Sequence, residues 1–89
     1  MRNMDDETLK TFAYVNASTY RVKVVKALKN DVKTPTKISK DAEIIPNHIS
    51  NVLRQLKDHE VAVCINEESR KGRLYRLTEM GEEIANNLK

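Results

Sequence analysis

Apolar residues recur along most of this chain at the spacing of α-helices. A loose apolar stripe covers residues 5–16, behind three acidic residues that favour the positive end of a helix dipole. A second stripe covers residues 19–29, where apolar side chains recur every three positions, and Ser18 before it is a residue type that caps helices. These patterns predict two helices in the first third of the chain.

A pair of short helices joined by a tight corner is predicted over residues 34–58. Thr34 offers a hydroxyl N-cap, and Pro35 stands at the first helical position, which needs no N–H group. We expect this helix to end near residue 42 and the next, residues 46–58, to begin at a proline. One arc of about 100° on the second helix is apolar and faces the core, and it is formed by Ile49, Val52, Leu53 and Leu56.

The spacing then changes to the two-residue period of β-strands. Apolar side chains alternate over residues 61–65 and again over 74–77, which predicts a hairpin within residues 61–78. Gly72 suits the turn between the two strands. A last helix, residues 79–88, follows a threonine cap. The apolar positions of the first strand are Val61, Val63 and Ile65.

The predicted order of elements is ααααββα, a mainly α fold with a small β-hairpin. The 89 residues are enough for one domain with a modest core. Neither a linker nor a repeat divides residues 1–89, so we expect a single domain.

The net charge of +3 is unevenly distributed. Residues 1–20 hold two basic and three acidic side chains, residues 21–57 hold nine and three, and residues 58–89 hold five and seven. Four basic residues of the last segment nevertheless cluster in the hairpin, namely Arg70, Lys71, Arg73 and Arg76. This confinement suits a polyanion on one side of the domain. A solvated helix face is the simpler explanation for the lysines of the second helix, Lys23, Lys26 and Lys29.

In the order and spacing of these pieces, the chain resembles the winged helix-turn-helix domains of small prokaryotic transcriptional regulators of the ArsR and MarR types. The matching stretches are residues 20–28, 34–56 and 73–78, with Gly81 soon after, and they cover about residues 18–84. The resemblance implies a sequence-specific regulator that binds double-stranded DNA, most simply a repressor. It also implies a cytoplasmic, nucleoid-associated protein.

Three positions depart from the pattern of these regulators. Glu43 stands in the corner where glycine is usual, and Ile45 stands where a serine usually caps the second helix. His59 and Glu60 occupy the place where a glycine commonly ends that helix. Either Glu43 is left-handed, at a cost of about 1 kcal/mol, or the corner is looser than usual. Ile45 cannot accept the N–H groups at the start of the second helix.

The resemblance places residues 46–58 in the major groove and the wing, residues 66–73, on the flanking backbone or in the minor groove. The residue types agree, because Asn pairs bidentately with adenine and Arg with guanine. Without the wing, the polar face of residues 46–58 is explained equally well as an ordinary solvated helix surface. Three groups are expected to contact DNA: Thr34, Thr36 and Lys37 for phosphates; Pro46, Asn47, His48, Ser50, Asn51 and Arg54 on the second helix; and Arg70, Lys71 and Arg73 in the wing.

A homodimer is expected, because one such module buries only about 600–1,000 Å² on DNA. Two copies can bind half-sites about one helical turn apart. The expected dimer surface lies on the first and last helices, at Phe12, Tyr14, Val15, Ile84 and Leu88. The alternative for these side chains is an ordinary intramolecular core, which explains Phe12 and Ile84 at least as well.

Other chemistries find little support in the residues. Cys64 is the single cysteine, which excludes an internal disulfide and fits a reducing cytoplasm. His48 and His59 have no third ligand at a suitable spacing, so we expect no metal and no cofactor. No pairing of a nucleophile with a base suggests an enzyme. No apolar run approaches the roughly 20 residues of a membrane span, and we expect no membrane partner.

Two other functions stay open at this point. Winged helices also serve as rigid protein-interaction adaptors inside larger assemblies. A non-specific chromatin-type or RNA-binding protein would use the same positive charge without reading bases.

Overall fold

Five helices and three short strands make up residues 4–89, the part of the chain that the computed structural model describes. The elements are α1 (Asp6–Asn16), α2 (Thr19–Leu28), β1 (Val32–Lys33), α3 (Pro35–Ala42), α4 (Pro46–Asp58), β2 (Ala62–Cys64), β3 (Tyr75–Leu77) and α5 (Glu79–Asn87). All five predicted helices are present, with ends within one residue of the prediction. Within residues 4–89, no helix has both the length and the hydropathy to cross a bilayer.

Hydroxyl caps explain where three of the helices begin. The side chains of Ser18, Thr34 and Thr78 each accept a hydrogen bond from the backbone N–H three residues further on, at 3.3, 3.2 and 3.0 Å. Each bond satisfies one of the N–H groups that the first turn of a helix leaves without a partner. The predicted starts of α2, α3 and α5 are confirmed.

The sheet has three antiparallel strands in the order β1-β3-β2, so the predicted two-stranded hairpin and the order ααααββα were incomplete. Val32 lies opposite Arg76 and Lys33 opposite Tyr75. A strand of two residues shows no alternation in the sequence, and its partner lies far along the chain. Only the folded chain brings the two strands together.

The predicted alternation in the first hairpin strand was partly wrong. Val61 and Ala62 are both fully buried, whereas Ile65 is 48% exposed. Ile65 lies beyond the last residue of β2, where the hairpin opens into the wing loop, although its N–H still donates to the carbonyl of Leu74 at 2.9 Å. Burial over residues 61–65 therefore decreases steadily along the chain and does not alternate.

One apolar core joins the helices to the inner face of the sheet. Val15 and Ile84 are fully buried in this core, so their prediction as dimer contacts was wrong. Phe12 and Leu88 are partly buried against it and keep some exposed surface. The largest side chains with under 2% exposure are Leu28, Ile38, Ile49, Leu56, Leu77 and Ile84.

Gly81 lets α5 pack directly on β3 and on the backbone between α4 and β2. A Cβ at this position would lie 2.1 Å from the carbonyl oxygen of Val61 and 3.1 Å from the Cβ of Leu77. The same Val61 carbonyl accepts the Thr78 N–H at 3.0 Å. The first turn of α5 is therefore fixed against the strand pair that carries the wing.

Candidate nucleic-acid interface

The corner between α3 and α4 is a tight turn built around Glu43. Its φ of 58° and ψ of 45° are left-handed, so the corner is tight and not the looser alternative that the sequence left open. The buried Ser39 closes the turn, because its hydroxyl donates to the carbonyl of Ile44 and its own carbonyl accepts the Ile44 N–H at 3.1 Å. These bonds fix the direction in which the chain enters α4.

Two neighbouring isoleucines leave this corner in opposite directions. Ile44 is 4% exposed, and Ile45 is 58% exposed at the N-cap of α4. Because isoleucine has no acceptor, α4 begins without a side-chain cap, as the sequence predicted. An apolar side chain thus lies beside the N–H groups that open α4.

The outward face of α4 is a continuous exposed surface with little charge. The apolar arc predicted to face inward is buried: Ile49, Val52, Leu53 and Leu56. The six residues predicted to contact DNA from this helix are all exposed: Pro46, Asn47, His48, Ser50, Asn51 and Arg54. Amide, hydroxyl, imidazole and guanidinium groups are therefore presented together.

Asn51 and Arg54 form a pair on this face. The Nη2 of Arg54 donates to the Oδ1 of Asn51 at 2.6 Å, one turn of helix away. This is the one hydrogen bond that the Arg54 side chain makes within residues 4–89, so most of its five N–H donors stay available. The bond restrains the long side chain before any partner arrives.

Tyr20 lies beside the start of α4, a contact that the sequence did not predict. Its ring centroid is 5.2 Å from that of His48, with the planes tilted by 48°, and Tyr20 is 41% exposed. The first turn of α2 therefore extends the surface of α4. The sequence shows a tyrosine close to the cap of α2. Its contact with His48, however, depends on how α2 packs against α4.

The start of α3 presents the first predicted phosphate group. Thr34 is partly buried and occupied as the cap, while Thr36 and Lys37 are exposed. The Nζ of Lys37 lies 3.2 Å from the Oδ1 of Asp41, and the Nζ of Lys33 lies 2.8 Å from the Oδ2 of the same carboxylate. The hydrogen bond from Lys33 is the chief reason that the pKa of Asp41 falls below its usual value. The carboxylate offsets part of the charge that Lys37 was expected to supply.

The wing loop is closed by Asn66. Its Oδ1 accepts the N–H of Leu74 at 2.7 Å, and its Nδ2 donates to the carbonyl of Gly72 at 3.2 Å. Gly72 has the positive φ, 66°, that the sequence predicted for the turn. The side-chain amide of Asn66 thus joins the two sides of the loop. An asparagine just after the first strand of the hairpin was the sequence feature that could have predicted this role.

The three predicted wing cations differ in their surroundings. Arg73 folds back over the loop, donating from Nε to the carbonyl of Ser69 at 2.8 Å and from Nη2 to that of Glu67 at 3.2 Å. Arg70 and Lys71 are exposed and take part in no hydrogen bond or ion pair within residues 4–89. Arg73 therefore shapes the loop, while Arg70 and Lys71 are its available charges.

An ion pair joins the wing to the last turn of α4. The Nζ of Lys57 lies 2.5 Å from the Oε1 of Glu67. The hydrogen bond between them raises the pKa of Lys57 and lowers that of Glu67. Both groups are exposed, so the pair orients the loop more than it stabilises the fold.

The far end of α4 is held by Arg21 of α2. Its Nε donates to the Oε1 of Gln55 at 3.1 Å, and its Nη1 donates to the carbonyl of Tyr14 at 2.7 Å. The guanidinium lies 3.7 Å from the Tyr14 ring centroid, and His59 stacks on that ring at 3.7 Å. These contacts connect α1, α2 and the end of α4, and they engage Tyr14, one of the predicted dimer contacts, within its own chain.

The two histidines lie at opposite ends of α4, His48 beside Tyr20 and His59 beside Tyr14. Among residues 4–89, no three His, Cys, Asp or Glu side chains come together as a possible metal site. Cys64 is partly exposed, with its Sγ 3.5 Å from the Oδ1 of Asn66. It belongs to the hydrogen-bonded base of the wing.

No protein-family model and no curated protein matches this chain. Solved structures do match. A MarR-family transcriptional regulator from Silicibacter pomeroyi superposes with a TM-score of 0.69 at 15% identity, over 91% of this chain and 60% of its own. A variant of ZitR from Lactococcus lactis gives 0.62 at 17% identity, over 91% and 67%. A variant of MepR from S. aureus gives 0.61 at 21% identity, over 91% and 59%.

At these identities the likeness establishes the fold. The helices, the corner and the small sheet are those of a winged helix-turn-helix, which confirms the predicted fold class and the resemblance stated from the sequence. This chain spans 60% of the length of the Silicibacter regulator.

Proposed function

We propose that this protein is a sequence-specific regulator of transcription that binds double-stranded DNA, with α4 in the major groove. The exposed face of α4 carries the proposal: its amide, hydroxyl, imidazole and guanidinium groups are the kinds that read base edges. It follows a corner fixed by Ser39 and Glu43, so these groups are presented at one set angle. Helix-turn-helix proteins place the N-terminal residues of the second helix of the pair against the bases, and α4 is the second helix here.

Two further groups support contacts to the DNA backbone. Thr36 and Lys37 are exposed at the start of α3, and Arg70 and Lys71 are exposed in the wing. Hydroxyls, lysines and arginines make most of the phosphate contacts in protein–DNA complexes, which fix register without reading sequence. In this proposal Arg73 and Asn66 hold the wing in shape.

The regulator is proposed to act as a repressor that occludes a promoter. The described helices and strands are those of the DNA-binding fold, and occupying a site is the simplest means by which such a fold can act. This role places the protein on the nucleoid, in the cytoplasm.

A homodimer belongs to the same proposal. An apolar groove of about 620 Å³ lies between α1, α2 and α5, lined by Met4, Leu9, Phe12, Asn16, Val22, Asn87, Leu88 and Lys89. It includes none of the residues proposed to contact DNA. A second copy in this groove would leave α4 and the wing free to bind. Of the dimer residues predicted from the sequence, the groove keeps Phe12 and Leu88.

The test is selection of bound sequences from a random pool of duplexes, followed by titration of the selected duplex against salt. A recurring motif with two half-sites is the expected result. A linear fall of log affinity with log salt at about −0.9 per neutralised phosphate should accompany it. Failure to bind any duplex at low salt would favour a protein-interaction adaptor. Tight but unselective binding would favour a non-specific chromatin-type or RNA-binding protein.

A further inference from the structure

Ile45 is the most exposed large apolar side chain within residues 4–89, at 58%. It lies where a helix-capping side chain would otherwise stand, and it leaves the first N–H groups of α4 without a side-chain acceptor. Single exposed apolar residues are common on protein surfaces. The position is what distinguishes this one: it adjoins the helix face proposed to read bases.

The surroundings of Ile45 fix its backbone at the start of α4. The neighbouring Ile44 is buried and bonded to Ser39, so the corner has little freedom to turn. The backbone N–H of His48 donates to the carbonyl of Ile45 at 3.0 Å, which places the imidazole one turn further along the same helix. Pro46, also exposed, fixes the backbone that follows.

One base-edge group in the major groove is apolar, the 5-methyl group of thymine. Asparagine, by contrast, recognises adenine through a bidentate pair. Asn47 and Asn51 therefore suit adenine in the same helix that begins with an isoleucine. An A·T base pair offers both features, adenine on one strand and the methyl group on the other.

We propose that Ile45 reads a thymine 5-methyl group in the major groove, so that each half-site contains an A·T pair at the start of α4. This inference rests on the proposed DNA-binding function and names one element of its recognition sequence. Covering the isoleucine against the methyl group removes both from water. Burial of one methyl group corresponds to about a fourfold gain in affinity.

The experiment replaces each thymine of the selected duplex by deoxyuridine, one position at a time. The two nucleotides differ only by the 5-methyl group, so hydrogen bonding to the bases is unchanged. We expect one thymine in each half-site at which uracil weakens binding about fourfold. The Ile45→Ala variant should bind the thymine duplex about as weakly and should no longer distinguish thymine from uracil there.

Two variants serve as controls. Ile65→Ala removes a similarly exposed apolar side chain, 48%, from the end of β2, and it should keep the thymine preference. Ile45→Val keeps a branched apolar side chain at this position and should keep most of the thymine preference. Thermal unfolding of each variant, followed by circular dichroism, checks that the fold is intact.

The outcomes separate this inference from the proposed function. Specific binding that is unaffected by uracil at every position overturns the inference alone. So does a thymine preference that Ile45→Ala retains in full. If no duplex is bound, the proposed function fails and this inference fails with it.

Discussion

At the scale of single residues, the proposed base contacts and phosphate contacts should respond differently to substitution. Arg54 is held by Asn51 on the face of α4, whereas Lys71 is an exposed charge in the wing. We expect Arg54→Ala to weaken binding to the selected duplex by about 1–3 kcal/mol, with little effect on unrelated duplexes. Competition binding at fixed salt measures both affinities.

Lys71→Ala is the matched control for that prediction. Loss of one phosphate contact should weaken selected and unrelated duplexes alike, and it should reduce the magnitude of the salt slope by about 0.9. An equal loss on both kinds of duplex for Arg54→Ala would mean that Arg54 contacts the backbone instead of a base.

Glu43 offers a stability prediction at the corner before α4. Its left-handed conformation, with φ of 58°, is costly for any residue with a Cβ. Glu43→Gly should raise the free energy of unfolding by about 1 kcal/mol and the melting temperature by about 4–8 °C. Urea and thermal unfolding measure these changes.

Lys40→Gly, in the last turn of α3, is the control for the corner. The same replacement in a right-handed helical residue should lower stability by about 1 kcal/mol. A loss of stability in Glu43→Gly would show that the glutamate side chain contributes more than its backbone conformation costs.

The residues that the sequence predicted well are those whose role is local. Ser18, Thr34 and Thr78 cap the N–H three residues ahead, so a short stretch of sequence contains all the information. Arg73 was predicted to supply charge to the wing, and no sequence pattern indicated that its guanidinium also bonds to carbonyls of a loop whose shape depends on Asn66. Contacts that need a folded loop leave no pattern in the sequence.

At the scale of elements, the same distinction separates α3 and α4 from β1. Capping and a 3.6-residue period specify the helices, whereas β1 exists because Val32 and Lys33 pair with β3. The exposure of the polar face of α4 could be predicted from the helical spacing of its apolar residues. The positions of Tyr20 beside His48 and of Arg21 beside Gln55 did not, because they depend on how α2 packs against α4.

The packing of α5 against the wing strands gives a prediction for Gly81. An added Cβ would meet the Val61 carbonyl at 2.1 Å, and that carbonyl belongs to the backbone. Although alanine favours helices, Gly81→Ala should lower the free energy of unfolding by about 1–3 kcal/mol because strand and helix must separate. Chemical denaturation measures the loss.

Gly72→Ala is the comparison for this element. Nothing lies within 4 Å of an added Cβ at Gly72, but its φ of 66° is left-handed. The cost should be about 1 kcal/mol and should come from the backbone alone. A Gly81→Ala variant as stable as the parent would mean that α5 does not pack closely on β2 in solution.

At the scale of the whole molecule, the C-terminal end of α4 is tied to two different parts of the fold. Arg21 links Gln55 at this end to α1 and α2, and Lys57 links the same end to the wing through Glu67. Arg21 therefore connects α4 to two of the helices that line the groove, where we place the dimer contact. Dimer geometry would then set the spacing between two copies of α4, and with it the separation of the half-sites.

Leu9 tests that arrangement, because it is 43% exposed in the groove. We expect the parent protein to sediment as a dimer at tens of micromolar and Leu9→Glu to sediment as a monomer, since a carboxylate would be buried in an apolar contact. Val32→Glu adds the same charge at a side chain of equal exposure on the sheet, and it should stay dimeric. On DNA, Leu9→Glu should bind a single half-site as the parent does, but lose the added affinity of two linked half-sites. A parent protein that sediments as a monomer would remove the dimer from the proposal and leave each module to bind DNA alone.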